Sequence, residues 1–359
     1  METEILRNEE QAIFSLRQLY SRYGYLPYKM SRFEEYDLYV RNKDFLVSQE
    51  IITFADRNGR LLALKPDVTL SIIKNAGKAA DIQRVYYNEN VFRVDPQTRA
   101  FREIMQTGLE CIGDLSSSDV AEVVLLAAQS LSKLGENFVL DISHMGIVGE
   151  ILRKSGLSHE GQNRALQYLH QKNSHELNRL CREENCCADD LLALVECSGT
   201  PESVFAQMQS MRIGEPLAQL RQICDALTRF GFGEQIRVDF SVGTDMKYYS
   251  GVVFKGYLEG ITTWILSGGQ YDKLPRKMGR KAKAIGFAVY LGLLENRSHR
   301  EDAFDVDTLI LHDGTADPLE LMTVSQEAAA LGTVLVTREL PQGRNWKILR
   351  KFEKGVWVK

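Results

Sequence analysis

The chain has 359 residues, 44% apolar and 26% charged, the balance of a folded globular protein with a large core and not of a disordered or fibrous one. Lys plus Arg at 44 against Asp plus Glu at 48 leaves a net charge of −4, so no global positive field draws in nucleic acid. No run of about 18 apolar residues occurs, and Met1-Glu2-Thr3-Glu4 lacks the cationic and apolar parts of a secretory signal, so a cytoplasmic protein with no membrane partner is expected.

The length suits two or three domains. Residues 8–23 set Ile13, Leu16, Leu19 and Tyr20 at helical spacing, with Gly24 as the stop. Residues 51–54 and 61–64, separated by the turn Asp56-Arg57-Asn58-Gly59-Arg60, read as an antiparallel hairpin. Strands follow at 84–91, 101–112 and 138–142, with a helix over 119–134 opened by Ser116-Ser117-Ser118. Residues 146–234 are rich in Leu, Glu, Gln, Arg and Ala at helical spacing and read as an inserted helical domain.

Strand character returns at 236–240, 252–258 and 262–266. Gly268-Gly269, a basic loop over 276–283 and a buried helix over 284–294 come next. A charged linker at 296–302 leads to a strand at 308–311, a helix at 319–331 and a strand at 334–336. Lys347, Arg350, Lys351, Lys354 and Lys359 then read as a solvated helix face. The six cysteines, Cys111, Cys181, Cys186, Cys187, Cys197 and Cys224, form no Cys-x-x-Cys pair and read as reduced structural thiols rather than a metal site.

Four separated segments carry the specific signal. The first is Leu64-Lys65-Pro66-Asp67-Val68-Thr69. The second is Phe92-Arg93-Val94-Asp95-Pro96-Gln97, running to Phe101-Arg102-Glu103-Ile104-Met105-Gln106 and Glu110, where residues 106, 108 and 110 share one strand face. The third is Tyr248-Tyr249-Ser250-Gly251-Val252-Val253-Phe254, and the fourth is Ser267-Gly268-Gly269-Gln270-Tyr271-Asp272, leading to Gly286-Phe287-Ala288. In this order they resemble the core of the class II aminoacyl-tRNA synthetases, and within it the histidine branch. The resemblance implies an α+β fold with an antiparallel sheet core and flanking helices over 1–145 and 235–296. It implies a helical insertion over 146–234 and a short α/β unit over 303–359 that stands for a truncated anticodon-binding domain.

Free histidine presents an ammonium, a carboxylate and an imidazole, so its pocket needs acceptors for the cation and polar partners for the ring. In the family, the residues matching Asp67, Thr69 and Gln106 hold the α-amino group, and those matching Glu110 and Tyr249 hold the imidazole. With Tyr248, these six form the expected histidine site. The residues alone also allow a plainer reading, in which Asp67 caps a turn and Gln106 and Glu110 make ordinary salt bridges. Asp67 is one methylene shorter than the family's Glu, a gap that a water can fill.

The nucleotide half departs from the family. Adenylate formation needs cations on the triphosphate, where negative charge builds in the transition state. Arg93 matches the second-motif arginine, and Arg102 stands for another across a loop one residue shorter than the family's. These two are the candidate phosphate-binding residues. The third-motif arginine, however, is Leu293, the family's small glycine is Tyr290, and the adenylation-promoting arginine is Thr244. Losing one such donor costs about a hundred- to a thousandfold in rate.

A synthetase core of this kind resembles the regulatory subunits of ATP phosphoribosyltransferase, which join a short catalytic subunit in a hetero-octamer, activate it and confer feedback inhibition by histidine. The resemblance implies a non-catalytic chain with no cofactor, free histidine as effector and the short-form catalytic subunit as partner. It also implies a homodimer through residues 24–34, where the motif's usual proline is Ser31, and no tRNA partner. Two other readings stay open: an active histidyl-tRNA synthetase, told apart by histidine-dependent pyrophosphate exchange, and a synthetase-like sensor of histidine or tRNA, told apart by a gel shift.

Overall fold

A computed structural model describes residues 8–46, 50–76, 82–95, 98–211, 213–242, 246, 248–294, 304–354 and 356–358. The chain forms two compact units, Met1–Arg297 and Ser298–Lys359. The linker expected at 296–302 lies outside the described residues.

Strands of the first unit are β1 (Leu26–Pro27), β2 (Phe33–Glu35), β3 (Thr53–Ala55), β4 (Leu61–Leu64), β5 (Gln83–Val94) and β6 (Phe101–Gly113), then β7 (Phe138–His144), β8 (Ser198–Gly199), β9 (Ile236–Asp239), β10 (Val252–Leu258), β11 (Leu266–Gln270) and β12 (Lys283–Tyr290). Nine of them form one sheet in the order β1-β5-β6-β12-β11-β10-β7-β9-β8, and β2-β4-β3 form a second, smaller sheet. Only the β1–β5 and β7–β9 pairs of the large sheet run parallel. The class II synthetase-like antiparallel core is therefore present, centred on the long β5–β6 ribbon, which pairs from Gln83↔Ile112 to Val94↔Phe101.

Both faces of this sheet are covered, and the alternation of side chains along each strand feeds two separate cores. On one face, Tyr86, Leu109, Cys111, Leu140, Ile142 and Phe254 pack under the first helix (Asn8–Arg22) and the long helix α4 (Ser117–Leu134), the fourth α-helix after Tyr36–Arg41 and Thr69–Asn75; the two contribute Leu16, Tyr20, Val123, Val124, Ala127 and Leu131. A reciprocal cap opens α4: Asp119 N–H donates to Ser116 Oγ at 3.3 Å, and Ser116 N–H donates to Asp119 Oδ2 at 2.9 Å. The helices of residues 145–227 join the same core through Ile147, Val148, Leu152, Leu180, Leu194, Leu220 and Leu227, and β8 from this stretch closes one edge of the sheet.

The second core lies on the opposite face, where Val85, Tyr87, Ile112, Tyr271 and Ala284 meet Tyr39, Val68, Leu70, Ile72 and Ile73. Most of the latter belong to the helix Thr69–Asn75 and the turn before it.

Within this unit, three sequence expectations need correction. Residues 284–294 are strand β12 followed by a single tight turn, Leu291–Leu293, not a helix. Ala284 faces one core and Ile285, Phe287 and Val289 the other, so both faces are apolar and the run shows no polar alternation to mark it as a strand. The strand expected at 262–266 starts at Leu266 and runs through the glycine pair instead. Those glycines permit close strand approach: a Cβ on Gly269 would sit 2.7 Å from Val252 O. The basic loop expected at 276–283 is shorter, since the helix Lys273–Lys277 takes its first two residues and β12 its last.

The second unit comprises β13 (Val306–His312), a helix (Pro318–Ala329), β14 (Val334–Thr337), β15 (Trp346–Glu353) and β16 (Val356–Val358), with strand order β14-β13-β15-β16. Lys347, Arg350 and Lys351 thus lie on a strand and not on a helix; Lys354 is in the turn after it, and Lys359 lies outside the described residues. Pairing with β13 and burial of Phe352 against Trp357, with ring centroids 5.1 Å apart, override the helical appearance of the segment.

Leu140, fully buried at the centre of β7, tests the shared core. Leu140→Ala is expected to lower stability by about 2–5 kcal/mol, read as a shift of the urea midpoint.

Candidate functional site

The second face of the sheet carries a cavity of about 280 Å³ lined by Asp67, Thr69, Gln106, Glu110, Tyr248 and Tyr249, together with Tyr87, Arg93, Tyr271 and Tyr290. The six residues expected to hold histidine are therefore brought together from three distant parts of the chain. Gln106 and Glu110 project from β6 onto the same face, and each is 3% exposed. Across the ladder Glu110 faces Gly286 and Gln106 faces Tyr290, so the two mark opposite ends of the cavity, about 13 Å apart along the strand. A Cβ at Gly286 would run into the Glu110 carboxylate, so only glycine leaves that carboxylate its place.

The turn before the helix Thr69–Asn75 places the other carboxylate. Asp67 Oδ1 accepts from the Leu70 N–H at 3.1 Å, so the residue holds a turn and lines the cavity at once. The capping and ligand readings of Asp67 do not exclude each other. Thr69 Oγ1 donates to Glu110 Oε1 at 2.8 Å, and the Tyr271 hydroxyl donates to Glu110 Oε2. Tyr248 hydrogen-bonds Thr69 in turn, and Tyr249 bonds Ser267. The Tyr248 ring stands edge-on to Tyr249 at 4.7 Å and tilted to Tyr271 at 5.6 Å, which gives the polar groups an aromatic wall.

Burial pushes the Glu110 carboxyl up to about 8, and the nearby charge of Asp67 adds to the rise, against the bonds from Tyr271 and Thr69. Burial thus holds Glu110 towards its protonated form. Burial also raises Asp67, opposed by the Leu70 N–H and the positive charge of Arg93. Gln106 Nε2 has no hydrogen-bond partner among the described residues, a buried donor left for a ligand. Carboxyls, hydroxyls and an amide converge on the cavity, which suits a small molecule bearing a cation and ring N–H or N groups.

The other expected residues fall elsewhere. Arg93 lines the cavity, but its Nε donates to Pro66 O at 3.0 Å and its guanidinium hydrogen-bonds Tyr290. Arg102 sits opposite Arg93 on the ladder and ion-pairs with Asp95 at 3.3 Å. It lines a second cavity of about 710 Å³ along with Leu293, Trp264 and, again, Arg93 and Tyr290. Thr244 lies outside the described residues. Sequence reasoning gave no role to Tyr271, although it stands in the quoted glycine-pair segment; its position just past β11, which abuts β12 and Glu110, was the available signal.

Fold and cavity together define a class II aminoacyl-tRNA synthetase-like protein with an amino-acid-sized pocket. The sequence model of the Histidyl-tRNA synthetase family matches residues 3–294, and the chain belongs to that family. The ATP phosphoribosyltransferase regulatory subunit of Alkaliphilus metalliredigens is 29% identical over 318 residues, which cover 83% of this chain and 80% of that protein. A solved structure from Bacillus halodurans, described as an ATP phosphoribosyltransferase regulatory subunit/histidyl-tRNA synthetase, matches with a TM-score of 0.76 at 23% identity, covering 96% of this chain and 94% of that one. A chain of the ATP phosphoribosyl transferase (HisG:HisZ) complex from Thermotoga maritima matches with a TM-score of 0.64 at 18% identity, covering 79% and 97%. At such identities the two structures speak for the fold alone.

Glu110 makes stability depend on pH in a direction opposite to that of a salt-bridged carboxylate. Its proton is kept in the folded state and released near 4.5 in the unfolded chain, so the ligand-free protein loses stability, by a few kcal/mol in all, as pH rises from about 4.5 to about 8. Glu110→Gln is expected to flatten that slope in urea titrations at several pH values; an unchanged slope contradicts a protonated Glu110.

Proposed function

We propose that the chain is a non-catalytic regulatory subunit of ATP phosphoribosyltransferase, the first enzyme of histidine biosynthesis, and that free histidine in the 280 Å³ cavity is its effector. The observation that carries this reading is the contrast between the two halves of the site. Asp67, Thr69, Gln106, Glu110, Tyr248 and Tyr249 converge on one pocket. Leu293 stands at the position of the third-motif arginine, and the two remaining arginines are engaged by Pro66, Tyr290 and Asp95. A leucine offers no charge to a transferring phosphoryl group, so adenylation loses its electrostatic support.

In this reading the imidazole lies at the Glu110 end, and the ammonium lies by Asp67, Thr69 and the Gln106 amide oxygen, with the Gln106 Nε2 donor left for the carboxylate. The Glu110 carboxyl serves either a ring nitrogen or a ring N–H by moving one proton. The partner is a short catalytic subunit, in a hetero-octamer, and the regulatory chains pair through residues 24–34. The helices over 146–234 are the synthetase insertion, and residues 303–359 a reduced anticodon-binding-like unit with no tRNA to read. The complex works in the cytoplasm. The curated relative named as a regulatory subunit supports the partner. Control then follows from linkage: histidine binds one conformation of the complex better than another, and a difference of about 1–3 kcal/mol shifts the catalytic population.

Co-expression with a short-form catalytic subunit tests this directly. The chain is expected to raise phosphoribosyl transfer, and histidine to lower it. Asp67→Asn, which removes the charge facing the ammonium but keeps the shape, is expected to raise the histidine concentration needed for inhibition by about ten- to a hundredfold. Histidine-dependent pyrophosphate exchange by the purified chain would overturn the reading in favour of an active synthetase.

A further inference from the structure

The small cavity and the larger one meet at a single wall. Arg93 and Tyr290 line both spaces, of about 280 and 710 Å³. The Tyr290 ring is held from two sides: it hydrogen-bonds Arg93, and it stands edge-on to Trp264 with centroids 4.9 Å apart. Its backbone is fixed as well, since Tyr290 N–H donates to Ile265 O at 2.8 Å. Arg93 is tied back to the Pro66 carbonyl, next to Asp67. Among the described residues lining the small cavity, Arg93 is the one cation.

The ladder sets the orientation. Glu110 lies across from Gly286 at one end, and Gln106 lies across from Tyr290 at the other. With the imidazole at Glu110, as the proposed function has it, the α-carboxylate points towards Arg93 and Tyr290. Beyond that wall the larger cavity carries an apolar and aromatic patch of Met105, Ile104, Val94, Trp264 and Leu293 that suits a flat ring, beside the charged Asp95, Arg102 and Glu103.

We infer that Tyr290, latched by Arg93 and Trp264, is a specificity partition that limits the pocket to a free α-carboxylate and rejects histidine derivatives extended at that carboxylate. Arg93 is thereby reassigned from phosphate to the carboxylate side of the amino-acid pocket. The partition keeps the effector site blind to acylated, amidated or peptide-bonded histidine, so only the free amino acid reports on supply. Exclusion comes from a built-in clash rather than from weaker attraction.

The inference rests on the histidine reading, and calorimetry on the full chain with three probes separates the two. Histidine, histidinamide and histidine β-naphthylamide differ first in charge and then only in size. The unaltered chain is expected to bind histidine, to bind histidinamide more weakly, and to bind the naphthylamide about a hundredfold more weakly still. Tyr290→Gly is expected to bring the naphthylamide to within about tenfold of histidinamide by joining the two cavities, and Tyr290→Phe, which keeps the ring, to go on rejecting it. Tyr290→Leu, which also shortens the wall, takes the glycine variant's place should that variant fail to fold. Equal binding of naphthylamide and histidinamide to the unaltered chain overturns the partition, as does a shortened-wall variant that binds histidine and still rejects the naphthylamide. No heat from histidine with the unaltered chain overturns the function reading and the partition together.

Discussion

The buried carboxyl of Glu110 is the constraint around which the rest of the site is arranged. A carboxyl that is 3% exposed is costly unless both of its oxygens find donors, and here Thr69 supplies one and Tyr271 the other. Those two donors come from opposite sides of the sheet's second face, one from a helix start after β4 and one from the end of β11. Meeting them on one carboxyl fixes where the helix Thr69–Asn75 and strand β11 stand relative to β6. Gly286 completes the arrangement, because any side chain there would displace the carboxyl.

From that fixed point the two halves of the ancestral site diverge. The amino-acid half keeps polar groups that converge, including a buried Gln106 donor with no partner among the described residues. The nucleotide half has its charges paired within the chain: the exposed Arg102 pairs with Asp95, and Arg93 faces a backbone carbonyl and a tyrosine. An arginine held by a backbone carbonyl and a tyrosine keeps fewer donors for a polyphosphate, however well its position matches.

Much of this was legible in the sequence, for reasons that differ from place to place. The six pocket residues were readable because each sits in a local motif whose type survives, even though Thr69 and Glu110 are 41 residues apart. The first helix, the hairpin turn at residues 56–60 and the serine cap at Ser116 were legible because their causes are local. Strand β12 was not, since a segment buried on both faces loses the alternation that distinguishes a strand, and only its neighbours β6 and β11 decide the matter. The glycines of β11 hid in the same way: Gly268-Gly269 fell after the strand expected at 262–266, while the sheet uses them for close approach. Tyr271 needed the same pairing before its hydroxyl could be placed on Glu110.

The basic carboxyl-terminal segment teaches a related point. Lys347, Arg350 and Lys351 look like a charged helical face until pairing with β13 is known, and the strand then spreads the same charges along a ladder. Local composition reported the polarity correctly but not the geometry that carries it.

Crystals grown with histidine, ATP and magnesium give the most direct test of the central claim that this protein recognises an amino acid it can no longer activate. Electron density for intact histidine, with its ring against Glu110 and its carboxylate on the Arg93 and Tyr290 side, is the predicted result. Continuous density joining that carboxylate to an adenosine phosphate would contradict the account.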